Sequence, residues 1–400
     1  MVSYGRLMTG VVVLLCCCLP LSGCWDRKEL QERNFVLAAA IDVADAGLKT
    51  GQGPAAKQVE TFTQPQGSKK YRLSLQLLRL ASGGGDKTQS KTYVISDTGQ
   101  SMHEMIRDML GQSSKSLYFE HIQTVIISEA AVKEEGLAPI IDLFLRDSEL
   151  RSRIKIYLTS GQARPLLEYV PPDKEPGGIF LANISRQHYR NVHVAGIRTD
   201  LGYTAQFMDN NTDVMMSRIE LAEGIVKLKG MALFRKDKFS GYIDEYATAG
   251  VKMIRGTEKE AVVTIACPEH PNHLVVFDLV RHDTRLQPHV AGDTIYFTLE
   301  MNMYGSINEM QGCSGEHDTS NPEYIHKVEI ALAEEMKRTV LYGKEVSQKL
   351  GVDSLGFGAK LKAYQPETWA KVKDDWDKLY PYIPLVVAVN VTIADTGEHE

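Results

Sequence analysis

Apolar positions in the first half of the chain fall into short blocks, and the rhythm of each block sets the expected element. Residues 34–43 form a continuous apolar run of strand length behind a polar, helix-compatible tether at 25–32. Residues 71–80 alternate, with Tyr71, Leu73, Leu75 and Leu77 on one face, as a half-buried strand does; 92–95 returns as another strand after a Gly-rich turn at 82–86. Between 101 and 110 the period changes: Met102, Met105, Ile106 and Met109 recur at helical spacing and predict a helix packed by its methionine face. Methionine stripes also line adaptable binding grooves, but core packing is the commoner use. Residues 122–127 and 154–158 read as strands, 139–145 as a helix, and 165–170 as the start of another that Pro171-Pro172 ends.

From Val214 the pattern turns β-rich, with strand candidates at 219–234, 261–266, 274–280 and 294–303 that suggest an antiparallel sheet built by hairpins. Asn321-Pro322-Glu323 is a helix start, with Asn as N-cap, Pro at the first helical position and an acid in the first turn. Behind it Ile325, Val328, Leu332, Met336, Val340, Val346 and Leu350 trace one apolar stripe, so a long helix should lie across the C-terminal sheet. Pro381 and Pro384 frame a final strand at 385–393. The elements alternate at short, uneven spacing, which favours an α+β fold with mixed or antiparallel sheets over a doubly wound parallel one.

At 400 residues the chain exceeds one ordinary core and suits two or three domains. The Pro/Gly-rich stretch 170–178 and the weakly periodic 191–212 place the main break near 205, giving 24–205 and 206–400 as the two large units. Residues 47–68, rich in Gly, Gln, Thr and Pro, suit an exposed excursion. A formal charge of -6 with no dominant basic patch argues against nucleic acid as a partner.

Residues 1–23 read as a secretory signal, with Arg6 in the positive n-region and an apolar run at 7–21. Pro20 breaks that run, which is shorter than the roughly 20 residues a membrane span needs. Ser22 and Gly23 then lead to Cys24, an arrangement similar to the bacterial lipobox. A thiolate here can take up a diacylglyceryl group, and cleavage before it frees an amine for a further acyl chain; two or three chains anchor a protein durably where one does not. Cys16, Cys17 and Cys18 leave with the signal, so only Cys267 and Cys313 remain as thiols, and an oxidising compartment permits a disulfide between them or two separate buried cysteines.

The other motifs are incomplete. Gly83-Gly84-Gly85-Asp86-Lys87-Thr88 places Asp86 where a phosphate loop needs Gly. His103-Glu104-Met105-Ile106-Arg107 has an arginine, which cannot bind zinc, at the second ligand position. Gly312-Cys313-Ser314-Gly315-Glu316 fails the nucleophile elbow at Glu316. Cys267, His270 and His273, completed by Cys313 or His282, are the best metal candidates, although His-Pro turns are more often solvated loops. Asp374, Asp375 and Asp377 around Trp376 lack calcium-loop spacing and suit a solvated helix face with Trp376 turned inward. The expectation is no catalytic residues, no metal and no cofactor.

Several fragments follow in order along the chain: Gly23-Cys24-Trp25-Asp26 with Arg27-Lys28-Glu29-Leu30, the runs 36–42 and 121–128, and Leu143-Phe144-Leu145-Arg146-Asp147-Ser148-Glu149. Residues 230–238 with Gly241, then Gly356-Phe357-Gly358, Trp369, Trp376 and the terminal strand continue the series. Taken together, they resemble the Ger(x)C family, the lipoprotein C subunits of bacterial spore germinant receptors. The resemblance implies a non-enzymatic, three-domain α+β body on the outer face of the spore inner membrane, lipidated at Cys24. It would work beside a multi-spanning A subunit and a transporter-like B subunit in a nutrient-sensing receptor. The alternative is an extracytoplasmic solute-binding lipoprotein serving a transporter.

Overall fold

β1 (Arg33–Val43) is buried along nearly its whole length, so elements must cover both of its faces. The computed structural model describes residues 32–44, 71–79, 91–186, 200–210, 212–257, 260–311 and 321–395. β1 lies inside a mixed nine-stranded sheet, ordered β3-β2-β1-β5-β6-β7-β8-β9 with a short β4 beside β1. Antiparallel β2 (Tyr71–Leu78) and β3 (Thr92–Gly99) flank it on one side. On the other side β5 (Thr124–Ser128), β6 (Lys155–Thr159) and β7 (Val214–Ala222) run parallel to it in turn. β8 (Ile225–Arg235) and β9 (Lys238–Ile243) close the edge as antiparallel hairpins, and β4 (Ser116–Tyr118) pairs parallel with the start of β1.

Period-two geometry divides the sheet's side chains between two cores. Val36, Ala39 and Ile41 face one layer, formed by α1 (Met102–Met109), α2 (Glu129–Glu135), α3 (Ala138–Arg146) and α6 (Leu201–Asp209). Ala38 and Ala40 face the other, formed by α4 (Arg164–Glu168) and α5 (Gly177–Ile184). The methionine face of α1 is buried in the first layer at Met102, Met105 and Met109.

This second layer changes two sequence readings. β2 is buried on both faces, not one, because its polar residues are paired: Gln76 Oε1 accepts Gly178 N–H at 2.8 Å and Ser96 donates to Ser74 at 2.8 Å. The 170–178 stretch, read as a boundary by composition, leads into a helix packed on the large sheet; a Cβ on Gly178 would stand 2.6 Å from that of Ala38, so glycine lets α5 lie directly on β1. The N-terminus of α4 is held to the same strand, where Asp42 accepts from the N–H groups of Ala163 at 2.7 Å and Arg164 at 3.0 Å. Burial raises the Asp42 carboxyl above its usual range, and these donors oppose it.

Residue 205, the expected break, lies inside α6, and β6 pairs with β7 across it, so the large sheet continues to Ile243. The apolar run 219–234 is a hairpin and not one strand: Glu223 and Gly224 both take positive φ, 53° and 76°, as a type I′ turn requires.

The C-terminal sheet holds β10 (Ala261–Ala266), β11 (Leu274–Ala291), β12 (Thr294–Met310) and β13 (Leu385–Asp395) in that order. β11 and β12 run well past their expected ends as one antiparallel ribbon. β13 joins parallel to β12, because the chain returns through α8 (Pro322–Lys349) before pairing. α8 starts as its sequence predicts, with the Asn321 side chain accepting Glu323 N–H at 3.0 Å, and buries Val328, Leu332, Met336 and Val340. It crosses α7 (Glu245–Arg255) at two glycines, where a Cβ on Gly250 would collide with the Thr339 carbonyl and one on Gly343 would stand 2.9 Å from the Ala247 carbonyl. α9 (Phe357–Tyr364), α10 (Pro366–Val372) and α11 (Trp376–Leu379) complete this core.

Candidate functional site

β8 carries both halves of the molecule: Ala232 and Phe234 point into the first core, Met231 and Leu233 into the C-terminal one. Backbone donors in the turns around such a joint need acceptors outside the helix and sheet ladders. Asp213, just ahead of β7, supplies them, accepting from Lys236 N–H at 3.1 Å in the β8–β9 turn and from Asp353 N–H at 2.6 Å in the loop after α8. Asp353 accepts in turn from the N–H groups of Gly356 and Phe357, each at 2.9 Å, of Gly358 at 2.7 Å, and from the Trp376 indole at 3.1 Å. It thereby satisfies the unpaired donors at the start of α9. The Gly356-Phe357-Gly358 and Trp376 fragments are thus parts of one carboxylate-centred joint.

Burial dominates the electrostatics of this pair. It pushes the Asp213 carboxyl up to about 6, with the Asp353 and Asp377 charges adding and the two N–H donors opposing. Burial also raises Asp353, against the Gly358 and Phe357 N–H groups, the Trp376 indole and the Arg255 charge. Nearby, Ser347 Oγ lies 2.6 Å from Ser354 Oγ and 2.5 Å from the Tyr380 hydroxyl, and Gln348 donates to the carbonyls of Tyr380 at 2.9 Å and Ile383 at 2.8 Å. The C-terminal end of α8 is fixed by these bonds.

Beside the joint lies a crevice of about 650 Å³ whose walls come from both halves. Arg235 ends β8, Lys344 and Lys349 lie on the last turns of α8, and Pro381 and Tyr382 precede β13. Arg235 Nε donates to the Gly351 carbonyl at 3.1 Å. Gly351 has φ 65°, in the left-handed region that favours glycine, and the Arg235 guanidinium occupies the space a Cβ there would take.

Cys24, Cys313 and residues 47–68 lie outside the described residues, as do the sequence motifs at 83–88 and 312–316. Cys267 is 1% exposed in the C-terminal core, its Sγ 3.5 Å from the Tyr324 hydroxyl. His270 and His273 follow in a turn, ring centroids 5.6 Å apart, and the Cys267 N–H donates to the His273 carbonyl at 2.8 Å. Among the described residues no three His, Cys, Asp or Glu side chains gather to hold a metal ion. Trp376 is buried, as its amphipathic setting suggests. Asp213, Asp353 and Arg235 were not legible as site residues. The one local signal was an acid three residues ahead of a Gly-Phe-Gly helix start.

Together these features define a class: a two-sheet α+β body joined through half-buried carboxylates, with no helix among the described residues long and apolar enough to cross a membrane. The chain belongs to the GerAC-like spore germination family. Residues 26–221 match the "Spore germination protein N-terminal domain" and residues 229–397 match "Spore germination B3/GerAC like, C-terminal". The chain is 26% identical to Spore germination protein YndF of Bacillus subtilis (strain 168), over 98% of this chain and 97% of that one. It is 24% identical to Spore germination protein KC of the same strain, over 96% and 95%. The solved structure "Crystal Structure of the GerBC protein" superposes with a TM-score of 0.59 at 16% identity, covering 92% of this chain and all of that one, which shows the shared fold.

Proposed function

We propose that this chain is the lipid-anchored C subunit of a spore germinant receptor, required for nutrient-triggered germination and without enzymatic activity of its own. The observation that carries the reading is the run of family similarity from residue 26 to 397, beginning directly behind Leu21-Ser22-Gly23-Cys24. In this reading Cys24 is acylated and holds the body on the outer face of the spore inner membrane, beside membrane-spanning A and B subunits. The body's work is then assembly and signal transfer, not turnover.

Fractionation with palmitate labelling tests the anchor. The native chain should sediment with membranes and take up label, and Cys24→Ala should do neither. A Cys24→Ala chain that still sediments and labels would overturn the assignment. Affinity purification from spore membranes should bring down multi-spanning partners with the native chain.

A further inference from the structure

The crevice between Arg235 and the end of α8 differs in charge from its surroundings. Upstream on α8 each basic side chain is answered: Lys327 by Glu269 and Glu323, Lys337 by Glu334, Arg338 by Glu335. In the crevice Arg235, Lys344 and Lys349 face one carboxylate, Glu345, within a chain of net charge -6. Among the described residues neither Lys344 nor Lys349 makes an ion pair. Lys349 answers the negative end of the α8 dipole, which is ordinary for a last-turn lysine. Lys344 stands more than a turn earlier and is half-buried; burial holds its ammonium below the usual lysine value, with Glu345 opposing. Glu345 offsets only part of the cost of withdrawing this cation from water, and a bound anion would offset more of it.

The geometry suits an oxyanion. Arg235 spends only Nε on Gly351, leaving its terminal N–H donors, and a guanidinium fork matches carboxylate or phosphate oxygens. Leu341, Pro381 and the Tyr382 ring, which is 85% exposed, add apolar wall. A volume of about 650 Å³ lies in the range of small-molecule sites, and a seam between two halves of a fold is a common place for one. We propose that this crevice binds a small soluble organic anion, its carboxylate or phosphate group held by Arg235, Lys344 and Lys349 and its apolar part laid against Leu341, Pro381 and Tyr382. This goes beyond the receptor-subunit reading and would hold for the isolated chain.

The test uses the full chain in neutral detergent, titrated calorimetrically at constant ionic strength with phenyl phosphate and with inorganic phosphate. Phenyl phosphate should bind saturably and more tightly than inorganic phosphate, and Lys344→Gln or Arg235→Gln should weaken it about tenfold or more. Tyr382→Ala should narrow the preference for the phenyl compound, and Lys362→Gln, on exposed α9 surface, should change nothing. Because Arg235 also bonds across the joint, Lys344→Gln and Lys349→Gln carry the test if Arg235→Gln misfolds. No saturation at constant ionic strength, or equal affinity in the lysine variants, overturns the proposal. Lys344-dependent binding to phosphatidylglycerol vesicles, absent with phosphatidylcholine and without any response to phenyl phosphate, would also overturn it and assign the crevice to a lipid headgroup.

Discussion

Asp213 and Asp353 stand 140 residues apart in sequence and meet in one hydrogen bond, the Asp213 carboxylate accepting the Asp353 N–H at 2.6 Å. The same carboxylate holds the β8–β9 turn through Lys236. One titratable group therefore ties the edge of the large sheet to the loop that starts α9.

Asp213 makes stability depend on pH. Its folded value of about 6 lies above the ordinary 3.8, so the folded state binds the proton more tightly. Its contribution is fully present below about pH 4 and is lost as pH rises through about 6, a change on the order of 2–3 kcal/mol. Denaturant titrations of native chain and Asp213→Asn across this window should show a shallower fall with rising pH in the variant. Parallel curves would remove Asp213 as a source of that dependence.

The α7–α8 crossing should tolerate no side chain at Gly250. Gly250→Ala places a methyl against the Thr339 carbonyl and should destabilise by about 1–3 kcal/mol, the usual range for overpacking. Gly161→Ala, where no atom lies within 4 Å of the new methyl, should stay within about 0.5 kcal/mol of native. Chemical denaturation of both variants checks the contrast, and equal midpoints would mean the helices slide apart freely.

Glu223 occupies a left-handed position at φ 53° ahead of Gly224. Glu223→Asn gives the Asn-Gly pair that a type I′ turn favours and should stabilise by about 0.5–1 kcal/mol. A lower thermal midpoint in Glu223→Asn would show that the glutamate has a compensating contact.

What the sequence made legible was local. The start of α8 could be read because Asn321, Pro322 and Glu323 act within one turn, and the methionine face of α1 because helical spacing marks burial directly. α7 went unread although Asp244 caps it and Gly256 ends it, since residues 247–254 are buried on every side, Thr248 and Lys252 included, and the helix is too short for a repeated stripe. Gln76 and Ser74 hid the second buried face of β2, because their partners, Gly178 and Ser96, lie on other elements. The joint and the crevice were hidden for the same reason: Asp213 with Asp353, and Arg235 with Gly351, are brought together only by the fold.

The most direct measurement is germination of spores lacking this chain, in a background from which redundant receptors have been deleted. Such spores should lose the response to at least one nutrient that the parent recognises, and native chain supplied in trans should restore it where Cys24→Ala does not. Undiminished responses to every nutrient the parent recognises would contradict a role as a receptor subunit.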